Sequence, residues 1–274
     1  MSLFDNAAGA ELVEAMTALS VSAAQAIRRQ DASHLRRKRD GSPVTAADEA
    51  AEAVIREGLA RLSLGVAVIS EEQAERERPC VTGTDFIFID PLDGTREFIA
   101  GRGEYTVNIG VVAGGQPIAG VIAAPALGLA WRGVVGRGAE RLQFDGDRSG
   151  KIANPQTIRT RPGPPGELLV MTSRSHLDAR TQAFVDALPQ ARRIACGSSI
   201  KFCRLAEGAA DLYPRFGPTR DWDVAAGHAI LAAAGGDVLS PEGAPLRYGS
   251  PELRIPAFVA FGDAKATLRA KVTD

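Results

Sequence analysis

The sequence predicts a mixed α and β fold in two parts, an α+β part at residues 1–158 and an α/β part at residues 167–274. The first part combines two amphipathic helices and short apolar strands with a run of strands joined by turns. In the second part, strands alternate with helices. The proline-rich segment Arg159–Gly166 lies between the parts and marks the predicted boundary.

The composition is that of an ordinary globular protein. Apolar residues make up 45% and charged residues 24% of the 274 residues, which excludes a disordered chain and a membrane protein. Lysine and arginine total 32 against 33 acidic residues, so no net field attracts nucleic acid or an anionic membrane. Recognition of a phosphate must therefore depend on local groups.

The cysteines and the amino terminus favour a cytoplasmic location. The cysteines are odd in number and lack C-x-x-C spacing, which argues against disulfides and a zinc site and favours buried packing in a reducing compartment. They are Cys80, Cys196 and Cys203. No basic segment precedes an apolar run at the amino terminus, so no signal peptide is predicted.

Two predicted helices and a basic segment open the chain. Apolar side chains recur at helical spacing over Glu11–Arg29 and again over Asp48–Arg61. Asp48, at the start of the second helix, fits an N-cap. The basic segment between the helices, His34–Asp40, fits either a solvated loop or a mobile cationic flap over an anionic substrate.

Two predicted strands then end in carboxylates. Val66–Ile69 is a short apolar strand that leads into Ser70-Glu71-Glu72, and Phe86–Ile89 is a buried strand that Asp90-Pro91 ends. The shared ending suggests that the carboxylates lie at one sheet edge. Hard oxygen ligands of this kind favour Mg²⁺ over zinc.

The segment after Asp90 has the features of a phosphate cradle. Asp93 can cap a turn or short helix that begins at Gly94, which leaves the N–H groups of Gly94 and Thr95 free to bind an anion. Haloacid-dehalogenase-type phosphatases place two carboxylates two residues apart in D-x-D-G-T, whereas Asp90 and Asp93 are three apart. That class therefore does not fit, and a turn that the carboxylates merely cap is the remaining structural alternative.

The remaining elements follow in order. Strands with a turn at Gly114–Gln116 fill the middle of the chain, the glycine-rich segment 133–138 is a predicted turn, and the second part alternates strands and helices. The predicted strands are Tyr105–Ala113, Pro117–Ala123, Gly128–Val135, Leu168–Met171, Ala191–Ala195 and Ala257–Phe261. The predicted helices are Asp178–Leu188, Ser198–Glu207, Val224–Ala234 and a last helix from Asp263.

Two places in the second part have functional alternatives. Gly197–Lys201 opens a helix with capping hydroxyls and exposed amides, which fits a second phosphate site as well as ordinary capping. Asp223, before the helix Val224–Ala234, fits an N-cap, and either Asp221 or Asp223 could reach a metal.

Three segments resemble the signature motifs of the inositol monophosphatase superfamily, whose members are lithium-sensitive, Mg²⁺-dependent phosphatases. They are Ser70-Glu71-Glu72, Asp90–Thr95 and Trp222–Gly227. Within that superfamily the chain is most similar to the bacterial 3'(2'),5'-bisphosphate nucleotidases. That similarity rests on Asp40–Asp48, Gly94–Ile99, Ser173–His176, Gly197–Cys203 and Tyr213–Pro218.

The resemblance implies a layered αβαβα sandwich and a set of site residues. It implies that two or three Mg²⁺ ions bind Glu71, Asp90, the Leu92 carbonyl, Asp93 and Asp223, which selects Asp223 over Asp221. The pair that orients the attacking water corresponds to Asp48 and Thr95, and the phosphate contact to Gly94 and Thr95. The positions that hold the nucleotide correspond to His176, Ser198, Lys201 and Arg215, and Glu71, Leu92, Asp93 and Asp223 also face the substrate. Asp221 departs from the neutral residue expected there.

The resemblance also implies a function. The expected reaction is hydrolysis of 3'-phosphoadenosine 5'-phosphate to AMP and phosphate, extending to the phosphosulfate form, in the setting of sulfate assimilation. The alternatives are an inositol or other sugar-phosphate phosphatase of the same fold, and a phospho-ligand binding protein without turnover. A cytoplasmic location is expected, and homodimerisation and peripheral contact with the inner membrane stay open.

Overall fold

The fold is built on two β-sheets with helices outside and between them. The computed structural model describes residues 7–31, 35–38, 41–77, 79, 81–145, 150–163 and 166–263. In these ranges the helices are α1 (Ala7–Arg28), α2 (Ala46–Arg61), α3 (Glu71–Arg76), α4 (Thr95–Ile99), α5 (Ala179–Ala187), α6 (Ile200–Ala206) and α7 (Asp221–Ala233).

The strands of the same ranges form two large and two small sheets. In chain order they are β1 (Leu35–Arg37), β2 (Pro43–Thr45), β3 (Ala67–Ser70), β4 (Phe86–Asp93), β5 (Thr106–Ala113), β6 (Gln116–Ala124), β7 (Leu129–Val134), β8 (Gly138–Phe144), β9 (Ile152–Ile158), β10 (Leu168–Ser173), β11 (Ala191–Cys196), β12 (Leu212–Arg215), β13 (Thr219–Arg220), β14 (Asp237–Leu239), β15 (Arg254–Ile255) and β16 (Phe258–Phe261).

A seven-stranded sheet and a five-stranded sheet give the layers. The larger sheet has the order β3-β4-β5-β6-β7-β8-β9, and only its first pair, β3 and β4, is parallel. The smaller sheet has the order β11-β10-β12-β16-β14. Both β1 with β2 and β13 with β15 form short antiparallel pairs.

Successive side chains of a strand point to opposite faces of the sheet, so the two faces of the larger sheet pack against different helices. In β4, Ile87 and Ile89 pack with α1 and α2, whereas Phe86 and Phe88 face α6, α7 and the smaller sheet. Helix α5 covers the outer face of the smaller sheet. The layers thus run helices, sheet, helices, sheet, helix, which confirms the expected αβαβα sandwich.

A row of glycines lets α7 lie directly on the larger sheet. Gly110, Gly120 and Gly133 are cross-strand neighbours in β5, β6 and β7. A Cβ at Gly120 would lie 2.3 Å from the Ala226 carbonyl oxygen, and one at Gly110 would lie 2.6 Å from the Ala226 nitrogen. No larger residue fits under the helix without moving it, so these glycines fix the height of α7 above the sheet.

Most predicted elements are present, with several corrections. Strands β8 and β9 were not predicted, because β9 is mostly exposed and contains Pro155, and charged residues interrupt the apolar pattern of β8. The strand predicted to stop at Asp90 continues to Asp93, with an irregularity in its pairing to β5. The predicted last helix from Asp263 and Cys80 lie outside the described residues.

Two further expectations concern the cysteines and the halves of the chain. Cys196 and Cys203 are free and buried, as expected. The predicted boundary falls between β9 and β10, and the division of the chain into two parts stays a prediction. Helix α7, from the second part, packs against β5, β6 and β7 of the first. Among the described residues no helix has the length and apolarity needed to cross a membrane.

The glycine row generates a stability prediction. We expect Gly120→Ala to lower the free energy of unfolding by about 1–3 kcal/mol, since an added methyl group overpacks the contact with α7. The measurement is the urea midpoint at constant slope. Gly166→Ala is the matched control, because nothing lies within 4 Å of its Cβ position. Equal losses in both variants would contradict the close packing of α7.

Candidate functional site

Three carboxylates meet at one edge of the larger sheet. Strands β3 and β4 are parallel neighbours, with Ser70 paired to Ile89, so Glu71 and Asp90 follow each other at the same edge. Asp223, near the start of α7, completes a group whose carboxylate oxygens lie within 4.8 Å of one another. The predicted shared edge of Glu71 and Asp90 is thereby confirmed, and Asp223 rather than Asp221 joins it.

Asp223 is held by the helix start but does not cap it. Helix α7 begins at Asp221, so Asp223 is its third residue. The Asp223 Oδ2 atom accepts hydrogen bonds from the Arg220 backbone N–H at 2.9 Å and from Thr219 Oγ1 at 2.8 Å. The N-cap role suggested for Asp223 is therefore wrong, because the N-cap is Arg220, three residues earlier. Sequence reasoning also missed Thr219 as a hydrogen-bond partner of Asp223.

Asp221 points elsewhere. It is fully buried, and its Oδ1 atom accepts a hydrogen bond from Gly249 N at 2.7 Å. Its Oδ2 atom has no hydrogen-bond partner among the described residues. Burial raises the pKa of Asp221 to about 6.

Asp93 lies beside the cluster and is anchored by the second part of the chain. Its Oδ2 atom accepts a hydrogen bond from Ser199 N at 2.6 Å. It does not cap α4: the N-cap is Gly94, with φ of 94°, and no side chain caps this helix. The suggested capping by Asp93 is thus wrong, and the Ser199 amide, within the Gly197–Lys201 segment that fits a second phosphate site or ordinary capping, is occupied.

Asp48 and Thr95 form a second, adjoining pair. Thr95 Oγ1 donates to Asp48 Oδ1 at 3.2 Å, and Asp48 Oδ2 accepts from the N–H and hydroxyl of Thr45, each at 2.7 Å. Thr45 is the N-cap of α2 and Asp48 is its third residue, so the predicted N-cap at Asp48 is wrong. Asp48 instead closes a capping box, which fixes its carboxylate. Burial raises the pKa of Asp48.

The pKa values of Glu71, Asp90 and Asp93 are raised above the usual range of carboxyl groups. Burial, followed by the charge of Asp223 and opposed by Lys38, raises the pKa of Glu71 to about 8. Burial and the charge of Asp223 raise the pKa of Asp93 to about 6, and burial with the charges of Glu71 and Asp93 raises that of Asp90 well above its usual range. Such groups either take up protons or require a cation.

Lys38 is the cation that the described structure places there. Its Nζ atom lies 2.5 Å from Glu71 Oε1 and 2.6 Å from Glu72 Oε1, and its side chain is 5% exposed. Burial alone would lower the pKa of Lys38, but the two glutamates raise it overall. Within the basic segment, Leu35–Arg37 is exposed as a solvated loop would be, whereas Lys38 turns inward. Nothing in the local sequence signals that difference, and His34, Arg39 and Asp40 lie outside the described residues.

The four positions expected to hold a nucleotide line the same cavity as the carboxylates. His176, Ser198, Lys201 and Arg215 share it with Glu71, Asp90, Leu92, Asp93, Gly94, Thr95 and Asp223. The Leu92 carbonyl accepts a hydrogen bond from Thr95 Oγ1 at 3.2 Å. The structure therefore brings these predicted site residues together, with Asp48 reaching the cavity through Thr95.

The cationic side chains of the cavity are held in different ways. The Lys201 ammonium group is buried, donates to the carbonyls of Ser198 and Cys196, and lies 5.0 Å from the centre of the Tyr213 ring. Arg215 donates through Nη2 to the Pro218 carbonyl at 3.0 Å, while its buried Nε has no partner among the described residues. Arg215 is thus better placed than Lys201 to donate a hydrogen bond to a bound anion.

Arg96 completes the cationic side of the cavity, and the His176 imidazole lines the same wall. Desolvation, followed by the charges of Arg215 and Arg96, lowers the pKa of His176. Sequence reasoning missed Arg96, although its position directly after Thr95 was a usable signal. The cavity thus combines a carboxylate side suited to cations with a cationic side suited to an anion.

Comparisons with known proteins agree with this arrangement. The profile described as "Inositol monophosphatase family" matches residues 4–272. The chain is 43% identical over 211 residues to 3'(2'),5'-bisphosphate nucleotidase CysQ of Escherichia coli, covering 77% of this chain and 81% of that protein. It is similar to the crystal structure of CysQ from Bacteroides thetaiotaomicron, with a TM-score of 0.77, 32% identity, and 93% and 98% coverage of the two chains. An inositol monophosphatase from Zymomonas mobilis has a TM-score of 0.76 and 26% identity, with 98% and 99% coverage.

The raised pKa values generate a pH prediction for the metal-free protein. The unfolded chain loses these carboxyl protons near pH 4 to 5, whereas folded Glu71 keeps its proton to about pH 8 and Asp93 to about pH 6. The folded state binds more protons in this window, so its stability should fall as the pH rises from about 5 to about 8.

The measurement is Tm against pH in EDTA. Glu71→Gln should flatten the decline between about pH 5 and pH 8, because its side chain has no proton to lose. Added Mg²⁺ should flatten it as well, since a bound cation offsets the carboxylate charges. A Tm that stays level or rises across this window in EDTA would disprove the repulsive cluster.

Proposed function

Since the chain belongs to the inositol monophosphatase family, we propose that it is a Mg²⁺-dependent phosphatase that hydrolyses 3'-phosphoadenosine 5'-phosphate to AMP and phosphate. One observation supports this above the others: the carboxylates of Glu71, Asp90 and Asp223 share a cavity with the cationic side chains of Lys201 and Arg215. A bisphosphate needs both sides, one for each phosphate. The phosphosulfate form belongs to the same proposal, because its phosphosulfate group is also an anion that would meet the same cations.

The donor set fits magnesium. Carboxylate and carbonyl oxygens are the ligands of this hard cation, and the repulsion among the carboxylates is relieved when a cation binds. Glu71, Asp90, Asp93, Asp223 and the Leu92 carbonyl would hold two or three Mg²⁺ ions. When bound, magnesium supplies charge stabilisation of the phosphoryl group and of the departing oxygen. Lys38 would then yield part of its contact with Glu71 while it keeps Glu72.

The reaction also needs a proton acceptor, and Asp48 with Thr95 is suited to that role. Thr95 Oγ1 donates to Asp48 Oδ1, so its lone pair remains available to orient a water molecule. As Thr95 takes a proton from that water, its own hydroxyl proton would pass to Asp48 Oδ1, the final acceptor. Thr45 holds the other Asp48 oxygen in place. The raised pKa of Asp48 makes its carboxylate a better base than an exposed aspartate.

The second phosphate and the nucleoside would occupy the cationic side. Arg215 has an unpartnered buried N–H for a phosphate oxygen, and His176 and the Ser198 hydroxyl lie on the same wall. Lys201 would contribute mainly its positive charge, which together with Arg215 lowers the pKa of Asp93 against the effect of burial. The N–H groups of Gly94 and Thr95 would contact the phosphate that is removed. A cytoplasmic location and a homodimer stay predictions.

The substrate assignment predicts a selective activity. Phosphate release from 3'-phosphoadenosine 5'-phosphate should exceed release from inositol 1-phosphate in kcat/KM, require Mg²⁺, disappear in EDTA and decrease with millimolar Li⁺. The measurement is inorganic phosphate under these four conditions. A preference for inositol 1-phosphate would retain the metal cluster and overturn the nucleotide assignments at His176, Ser198, Lys201 and Arg215.

The carboxylates should be required for turnover rather than for the fold. Asp93→Asn should lower kcat by about 100-fold or more, since a few kcal/mol of transition-state stabilisation is lost. Asp186→Asn, an exposed aspartate bonded to Gln182, is the control and should leave kcat unchanged. If Asp93→Asn released phosphate as fast as the native chain, Asp93 would not be needed for turnover. A native chain that bound AMP but released no phosphate would be a binding protein instead.

A further inference from the structure

An ion pair outside the carboxylate cluster joins three backbone segments at the rim of the cavity. Glu104, in the loop between α4 and β5, accepts hydrogen bonds from Arg174 through both oxygens, at 2.6 Å from Nε and 2.7 Å from Nη2. Its Oε2 atom also accepts from Gly197 N at 2.8 Å. Arg174 Nη2 donates further to the Ala195 carbonyl at 2.7 Å. This bidentate geometry fixes both side chains.

The segments that meet here carry the expected nucleotide contacts. Arg174 lies two residues before His176, and Gly197 directly precedes Ser198. Gly197 is pressed against the loop, because a Cβ at this position would lie 2.7 Å from the Glu104 carbonyl oxygen. The β10–β11 ladder, with Ser173 paired to Cys196, brings the two segments side by side, and the ion pair adds a side-chain link between the loop of His176 and the loop of Ser198.

The carboxylate side has separate anchors. Asp93 is bonded to Ser199 N, and the Ser199 hydroxyl is bonded to Thr106 Oγ1 and Asn108 Oδ1 at 2.8 and 2.7 Å. These bonds do not involve Glu104 or Arg174. The loss of the ion pair would thus loosen the nucleotide loops while the carboxylates stay in place.

The exposure of the pair argues against a role in stability alone. The Arg174 and Glu104 side chains are 36% and 29% exposed, and ion pairs at such positions contribute little to folding. Hydrogen bonds from Arg174, ahead of the opposing effect of desolvation, lower the pKa of Glu104, so the pair is ionised at neutral pH. The pair is bidentate and makes two further hydrogen bonds to backbone groups, which is more than a contribution to folding stability explains.

We propose that Glu104 and Arg174 are positioning residues that hold the loops of His176 and Ser198 at the spacing required by a nucleoside bisphosphate. The inference rests on the proposed function, because it assigns the pair to nucleotide recognition by that site. The pair touches neither the reacting phosphate nor a carboxylate of the cluster. Its effect belongs to nucleotide binding and not to the hydrolytic step.

The test is steady-state kinetics of Glu104→Ala, Arg174→Gln and the double variant on 3'-phosphoadenosine 5'-phosphate, with calorimetric titration of AMP and of Mg²⁺. KM for the bisphosphate and Kd for AMP should rise by about tenfold, because small misplacements of positioning groups have effects of this order. The value of kcat and the affinity for Mg²⁺ should stay within about twofold of the native protein. The double variant should resemble the single variants, since either change breaks the same pair.

The exposed pair Arg192–Glu167 provides the matched control. Its atoms are 2.9 Å apart, and its side chains are 57% and 55% exposed. Glu167→Gln should leave KM, Kd and kcat unchanged.

A fall in kcat or Mg²⁺ affinity as large as the change in KM would assign the pair a general structural role and overturn the inference. Unchanged KM and Kd would overturn it as well. If the native chain itself shows no preference for the nucleotide, the proposed function fails instead, and AMP titration of the native chain distinguishes the two failures.

Discussion

Crowding of like charges at one sheet edge is the constraint on which the rest of the structure depends. Glu71, Asp90 and Asp223 each have a carboxylate oxygen within 4.8 Å of the others, and their partial or full burial limits the water that would screen them. A fold without a cation ligand would gain stability by losing any one of these groups. The arrangement is therefore explained by the binding of a cation. At the edge of the cluster, Lys38 already supplies a positive charge to Glu71 and to the neighbouring Glu72.

The glycine row is the structural means by which the third carboxylate reaches this edge. Glu71 and Asp90 arrive through parallel neighbouring strands, but Asp223 comes from a helix on the face of the sheet. The absence of side chains at Gly110 and Gly120 lets that helix settle within contact distance of the strands. The packing of α7 on the sheet thus also sets the spacing of the carboxylate oxygens in the site. A methyl group added at one of these glycines would disturb that spacing.

The site residues that could be predicted from the sequence are those marked by a local residue pattern. Apolar runs that end in carboxylates identified Glu71 and Asp90, and the motifs of the family resemblance pointed to Asp48 and Asp223. The roles of these last two at their helices were misjudged, because an acidic third residue and a true N-cap look alike until the helix start is known. Lys38 could not be found, since its partners lie 33 and 34 residues further along the chain and only the fold brings them together.

A backbone hydrogen bond couples the two sides of the cavity. Asp93 belongs to the carboxylates, yet its position is fixed by the Ser199 amide, which lies next to Ser198 on the nucleotide side. A shift of Ser199 itself would move a carboxylate, and a cation bound to Asp93 would in turn hold Ser199. Thr106 and Asn108 oppose such movement by bonding the Ser199 hydroxyl to the sheet. The rigid sheet therefore supports both sides, while the ion pair of Glu104 and Arg174 holds the outer loops that would contact the nucleotide.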